Sequence, residues 1–343
     1  MPLDQPRKRP TIKDVARLAG VSPTTVSYVI NRKTGGNIRI TEGTQAKVWE
    51  AVEALNYRPS TAARALRTQR SHLLALMVPY IEAPYLPWLA AAVQQEAEKA
   101  GLSVIIYATR NDPQRAKDFV DDCIDRKVDG FIAQTYQLSS DDLDSLVEAG
   151  IAVVIHGITP THPFVDNVKF DEVRAAAEVT SYLIERGHRR VGTIAGPLDR
   201  WTGRLRSEGY ACALRAHGIP VDEALICEAG SFTRRAGIPC MQQLLDLPDP
   251  PTAVFAANDV LAVDALLVAL DAGLSVPEDV AIVGFDDTPE AIMVRPRLTT
   301  VRKDTNLLGT TAVQMLVERI NGEEPMPGRQ KVLDYDIVCR ESV

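Results

Sequence analysis

Several polar and aromatic residues in this 343-residue chain follow directly on short apolar runs. Asn258 and Asp259 follow AVFAA, Asp286 and Asp287 follow AIVGF, Gln134 follows GFIA, and His156 follows VVI. Arg200, Trp201, Thr202 and Arg206 come after TIAGPLD. If the runs are strands of open parallel sheets, a ligand sits beyond their carboxyl ends. Carboxylates offer paired acceptors and arginines forked donors, which suit the hydroxyls of a sugar. An aromatic face such as Phe232 can stack on a ring. Two of these residues have a plainer structural role open to them: Asn258 can cap a helix and Asp286 a turn. There is no G-x-S-x-G, H-E-x-x-H, Walker loop or G-x-G-x-x-G, so no enzymatic chemistry is expected. His156 and His162 lack cysteine or carboxylate company, so neither a metal nor a cofactor is expected.

The elements that position these residues alternate. Strand candidates cover 73–78, 103–107, 130–133, 152–155, 190–195, 224–228, 253–257, 280–285 and, near the end, 331–339. Helix candidates between them include 88–99, 114–126, 173–186, 204–217, 234–247 and 259–272. Alternation of this kind builds parallel sheets with crossover helices. So many strands over about 270 residues suit two lobes, with a boundary near 156–164, a stretch rich in Gly, Thr, Pro and His.

Before residue 70 the pattern is helical only. Apolar residues recur at 12, 15, 16, 18 and 19, at 26, 29 and 30, and at 46, 48, 51, 52 and 55. The charge divides at the same place. The net charge is −7, but residues 1–70 carry 13 Lys+Arg against 5 Asp+Glu, a balance of +8. Residues 71–343 carry 25 against 40, a balance of −15. A basic head on an acidic body suggests a nucleic-acid-binding module joined to something else.

The head reads as a helix-turn-helix. Thr11 can cap a first helix whose opening turn holds Asp14. Ala16 permits a close crossing, and Gly20 sits where the turn needs a left-handed backbone. Val15, Val21, Val26 and Val29 fill the angle. Ser22 caps the second helix, and Pro23 occupies its first position, where a missing N–H costs nothing. In a major groove the start of the second helix meets base edges. Thr24 can donate, accept and touch a thymine methyl, and Tyr28 reaches a base or a phosphate. Thr25, Ser27, Asn31 and Arg39 suit phosphate contacts, which position without specifying. The stretch 60–67 is too short to hold a helix alone in water. It is an ordinary loop, the last turn of a third helix, or a hinge that orders on DNA, with Leu66 as an apolar wedge in the minor groove and Ala63 allowing close approach.

Five scattered cysteines with no C-x-x-C read as reduced thiols, with Cys123 and Cys212 packed in cores and no disulfide framework. The first ten residues lack the apolar stretch of a secretory signal. No apolar run approaches the ~18–20 residues of a membrane span. A cytoplasmic location with no membrane partner is therefore expected.

The runs TIKDVARLAGVSPTTVSYVIN and ALNYRPSTAARAL resemble the headpiece and hinge of the lactose-repressor (LacI/GalR) family of bacterial transcription regulators. ERGHRRVGTIAGP, PTAVFAANDVLAVDAL, EDVAIVGFDD and LTTVRKD follow in that family's order, so the likeness covers about 11–341. It implies an all-α helix-turn-helix headpiece (1–58), a hinge and linker (59–71), and an α/β periplasmic-binding-protein-like body of two Rossmann-like lobes (72–343). Within the body the N-lobe is expected over about 72–161 plus 292–324, and the C-lobe over about 162–291 plus 325–343. By the same resemblance Tyr85, Arg206, Phe232, Asn258 and Asp286 match effector-contacting positions, and Arg200 and Thr202 match positions some relatives use. The stretch KTGGNIRIT is about four residues longer than the family's usual link.

The expected function is a repressor that reads operator DNA as a homodimer and is controlled by a small effector, a sugar foremost. Chain length leaves no heptad segment for a tetramer. A purine- or other metabolite-responsive regulator acting with a corepressor is the alternative, and a solute-binding protein is a third reading.

Overall fold

The structure is a computed structural model, and it describes residues 10–30, 40–58, 70–134, 137–157, 162–322 and 326–343. Asn31, Arg39, Ala63, Leu66, residues 33–39 of the long link at 33–41 and most of the hinge lie outside the described residues. The chain divides into two compact units, Met1–Ser71 and His72–Val343.

Among the described residues the first unit holds three helices, α1 (Ile12–Ala19), α2 (Pro23–Ile30) and α3 (Glu42–Ala54). Asp14 Oδ2 accepts from both the backbone N–H and the hydroxyl of Thr11, at 2.9 and 2.7 Å, which fixes the start of α1. Gly20 ends it at φ 67°, a conformation that costs a residue with a Cβ about 1 kcal/mol or more. The Ser22 hydroxyl accepts from Thr25 N–H at 3.0 Å and starts α2. Val15, Val26 and Val48 are fully buried where the three helices meet.

The second unit contains two six-stranded sheets. The first sheet is built from β1 (Leu73–Val78), β2 (Ser103–Ala108), β3 (Gly130–Ala133), β4 (Ala152–His156) and β5 (Asp166–Phe170), joined late in the chain by β11 (Gln330–Leu333). Its order is β11-β5-β4-β3-β1-β2, parallel throughout. Helices α4 (Leu86–Lys99), α5 (Pro113–Asp125) and α6 (Ser140–Glu148) follow its strands. The second sheet is built from β6 (Val191–Ala195), β7 (Ile226–Glu228), β8 (Ala253–Ala256), β9 (Ala281–Asp286), β10 (Thr299–Lys303) and β12 (Tyr335–Val338). Its order is β12-β10-β9-β8-β6-β7, with only β12 antiparallel. Helices α7 (Glu172–Glu185), α8 (Trp201–Ala216), α9 (Ile238–Leu245) and α10 (Asp259–Asp271) pack against it, while α11 (Thr305–Asn321) returns to the first sheet. Each sheet is apolar on both faces, as crossover helices on both sides require.

The chain crosses between lobes near 171, 304 and 334, which moves the expected lobe boundaries. β5 pairs with β4, so the first lobe runs to about 170 instead of 161. β10 pairs with β9, so the second lobe continues to about 303 instead of 291. The expected strand 331–339 is two strands that part at Asp334 and join different sheets. β5 escaped pattern reading because it begins on Asp166, a carboxylate buried only because Arg319 and Arg329 pair with it at 2.6 and 2.8 Å.

Two further expectations fail locally. The helix expected from 234 begins at Ile238, because Arg235 is left-handed (φ 72°) and Pro239 belongs in a first turn. The cysteines also differ. Cys227 and Cys240 are joined as a disulfide, and Cys212 is exposed; Cys123 is buried, with its thiol pushed up to about 12 by burial. Spacing along the sequence gave no sign of the pair, because a β-strand and a helix bring the two together.

Candidate functional site

A cavity of about 550 Å³ lies between the two lobes, beyond the carboxyl ends of the strands. All nine residues expected around an effector line it: Tyr85, Gln134, His156, Arg200, Thr202, Arg206, Phe232, Asn258 and Asp286. Each reaches it from the carboxyl end of a strand or from the segment that follows one. Gln134 follows β3, His156 ends β4, and Asp286 ends β9. Tyr85 immediately precedes α4, Arg200 precedes α8, and Thr202 and Arg206 lie on α8.

At its floor four charged residues contact one another. Arg206, 3% exposed, donates through Nε to Glu172 at 2.8 Å and through Nη2 to Asp286 at 3.1 Å. Its Nη1 donates to the Ala257 carbonyl. Lys303 Nζ lies 2.9 Å from Glu172 Oε1 and 3.0 Å from Asp286 Oδ1. Burial alone would raise the Glu172 carboxyl. The charges and hydrogen bonds of Arg206 and Lys303 outweigh it and hold the carboxyl at about 2. The guanidinium also lies over the Phe285 ring, 3.9 Å from its centre. Asp286 holds its place at φ 106°, a backbone region that side chains rarely adopt.

The remaining walls mix rings and polar atoms. Trp201 packs against Gly157 and Phe232 against Gly196; a Cβ at either glycine would come within 2.6 and 2.2 Å of those rings. His156 Nδ1 donates to the Val168 carbonyl at 2.8 Å, leaving Nε2 as the acceptor. Burial pushes its pKa down to about 4, so it is neutral at pH 7. Asn258 takes both of the roles weighed for it. It caps α10 by accepting from Leu261 N–H at 2.9 Å, and it lines the cavity while donating to the Phe232 carbonyl at 3.2 Å. Gln134 Oε1, Thr288 Oγ1 and Glu290 Oε2 are buried cavity atoms with no protein partner.

Glu172 and Lys303 were missed. Lys303 ends β10 and Glu172 stands just past β5, placements like those of the other site residues, but the polar residues of these two strands hid them. His162 bonds to Asp144 at 3.0 Å. Among the described residues no group of three or more potential metal ligands occurs, and no helix is long and apolar enough to cross a membrane.

In the first unit, Ser22, Pro23 and Thr24 are exposed at the start of α2, with Thr25, Ser27 and Tyr28 half-buried along it and Thr11 exposed at the start of α1. Thr25 Oγ1 shares a hydrogen bond with Ser22 Oγ at 2.9 Å. A short helix after a left-handed glycine turn, with its opening turn facing outward, is the geometry that enters a major groove.

Fold and site together define a regulator class: a helix-turn-helix unit on one chain with a two-lobed, ligand-binding α/β body. Residues 11–60 match the model of bacterial regulatory proteins of the lacI family, and 180–343 match that of the periplasmic binding protein-like domain. The HTH-type transcriptional repressor PurR of Haemophilus influenzae (strain PittEE) is 33% identical over 338 residues, covering 97% of this chain and 98% of that one. The transcriptional regulator CelR–cellobiose complex is 34% identical over 98% of this chain and all of that one, with a TM-score of 0.72. The lac repressor dimer bound to operator and the anti-inducer ONPF is 28% identical over 98% of this chain and 99% of that one, with a TM-score of 0.86. The chain belongs to the lacI family of bacterial regulatory proteins. It is a DNA-binding transcriptional repressor with a small-molecule effector.

Proposed function

We propose that the effector is a neutral sugar, held in the interlobe cavity by Arg206 and Asp286 and flanked by Tyr85, Arg200, Thr202 and Phe232. The charge balance of the cavity carries this reading. Its lining includes four acids (Glu82, Glu172, Asp286, Glu290) and four bases (Arg200, Arg206, Arg234, Lys303), and His156 is neutral. An anionic or cationic effector would leave a charge uncompensated in a buried site. Hydroxyls instead donate to Asp286, Gln134 and Glu290 and accept from Arg206, while the Phe232 and Trp201 rings cover an apolar sugar face. The cellobiose bound by the similar CelR accords with this.

A purine is the second reading. Trp201, Phe232 and Tyr85 offer flat rings, and Arg200 and Thr202 are donors beside them. A thermal-shift screen of neutral mono- and disaccharides against nucleobases separates the two. A shift that grows with ligand concentration identifies the class, because a ligand that binds only the native state raises its stability.

The rest of the reading follows from the two units. Two copies related by a two-fold axis place two α2 helices on two half-sites of an operator, with Thr11, Ser22, Pro23, Thr24, Thr25, Ser27 and Tyr28 at the DNA. Asn31, Arg39, Ala63 and Leu66, outside the described residues, are proposed as DNA contacts from the sequence alone. The protein acts in the cytoplasm, without catalysis. A sugar that moves one lobe against the other alters the spacing of the paired hinges, and sugar and operator then oppose each other by the same factor. Fluorescence anisotropy of a labelled operator, with and without the sugar found in the screen, tests this coupling.

A further inference from the structure

The segment between β7 and α9 lines the cavity through Phe232, Thr233 and Arg234, and the stretch 229–237 carries no helix or strand. Ala229 N–H donates to the Ala195 carbonyl at 2.8 Å at its start, and the Ser231 and Thr233 hydroxyls share a hydrogen bond at 2.6 Å. Asn258 donates to the Phe232 carbonyl, Arg234 pairs with Glu290 at 3.0 Å, and Gly237 N–H donates to Asp264 at 3.0 Å. Arg235 holds a left-handed backbone. Cys227 and Cys240 clamp the two ends of this segment, with Cα atoms 5.3 Å apart. That separation falls in the range a disulfide requires, so neither end has to move for the bond to form or break. β7 is the edge strand of its sheet, and Cys227 on it is half-buried; Cys240, in the first turn of α9, is 3% exposed. One sulfur is therefore open to a small reagent and the other is shielded behind it.

We propose that Cys227 and Cys240 are a reversible thiol–disulfide switch that sets the order of the cavity segment 229–237 and, through Phe232, the affinity for the effector. The effector part rests on the reading given above; the switch itself does not. In a DNA-binding regulator, working where low-molecular-weight thiols keep most cysteines reduced, a disulfide belongs to the transient, sensing kind. Oxidised glutathione is the oxidant. The Cys227 thiolate attacks one glutathione sulfur, forming a mixed disulfide and releasing one glutathione thiolate. The Cys240 thiolate then displaces the second glutathione. Two cysteine thiols and one glutathione disulfide become one protein disulfide and two glutathione thiols, and reduced glutathione reverses both steps. In the oxidised form the segment is closed on itself, and Phe232 stays seated over Gly196. In the reduced form its ends are no longer tied, and ordering the segment costs the effector part of its binding free energy.

The full-length protein is equilibrated at a series of reduced-to-oxidised glutathione ratios, then alkylated and weighed by peptide mass. Amide exchange over 226–240 is followed in the same samples. The pair should pass from two alkylated thiols to none within the accessible range of ratios. Exchange across 229–237 should slow by about tenfold in the oxidised form while β8 and β9 stay unchanged. Cys227→Ser should exchange at the reduced rate at every ratio. Both thiols alkylating at every ratio, a bond that survives a large excess of reduced glutathione, or identical exchange in the two forms would each overturn the switch. Cellobiose titrated into both forms reads the last link, with binding roughly three- to tenfold tighter when oxidised. Equal affinity in the two forms would remove the link to the effector. Failure of cellobiose and of every other screened sugar to bind either form would refute the sugar reading and leave the exchange result to decide the switch.

Discussion

Lys303 Nζ and Glu172 Oε1 are 2.9 Å apart, although the two residues stand at different crossings of the chain between its lobes. Glu172 follows β5 of the first sheet, and Lys303 ends β10 of the second. Their contact pins two crossings together, and both partners also touch the Arg206–Asp286 pair. A ligand that engages Arg206 or Asp286 therefore competes with the contacts that fix the crossings.

Glu172→Gln should be strongly destabilising. It leaves Arg206 and Lys303 in a buried site with one carboxylate between them. Breaking a buried pair on one side costs about 3–5 kcal/mol. Adding Lys303→Gln should recover part of that loss. Denaturant unfolding of the two single variants and the double variant gives the coupling; strictly additive losses would show that the two residues do not act as a pair.

Asp286→Ala should remove the effector response and leave operator binding intact. A charged acceptor lost from a buried site costs on the order of 2–3 kcal/mol, or roughly 30- to 150-fold in affinity. Calorimetric titration with the sugar identified by screening measures it. Affinity within about threefold of the parent would take Asp286 out of the site.

Asp259 should give the body a pH signature. It is fully buried, accepts from Thr300 Oγ1 at 2.5 Å and Thr288 N–H at 2.6 Å, and burial pushes its carboxyl up to about 8. A carboxyl raised in the folded state stabilises fully below its unfolded value near 4, and that stabilisation is lost as pH rises toward 8. Glu172, held down at about 2, acts the other way, and its contribution is lost as pH falls from about 4.5 toward 2. Melting temperatures between pH 5 and 8.5 should fall in the parent relative to Asp259→Asn. Parallel curves would contradict the assignment.

Operator affinity should fall with salt at a log–log slope of about −0.9 per phosphate contacted. Thr24→Ala should cost about 1 kcal/mol, and only at the base pairs it faces. Gly20→Val should weaken all binding by disturbing the turn, since φ 67° disfavours a β-branched residue. Anisotropy titrations on the operator and on point-substituted operators distinguish a specificity effect from a folding one.

The head was legible in sequence because its rules are local. A capping pair at Thr11 and Asp14, a glycine at 20 and valines at helical spacing act within a few residues of one another. The cavity residues were legible for a related reason: each follows an apolar strand, and parallel sheets carry such residues to one side. Sequence also located the charge divide, since net charge is a sum over residues and needs no fold.

What tertiary structure decided is pairing over distance. Asp166 reads as a loop residue until Arg319 and Arg329, more than 150 positions later, neutralise it inside a sheet. The same holds for Glu172 with Lys303, 131 positions apart, and for Cys227 with Cys240, where a strand edge and a helix start happen to meet. A buried charge or a disulfide is tolerated only when its partner arrives. No local pattern announces the partner, because the cost of burial and its compensation lie on segments that only the folded chain brings together.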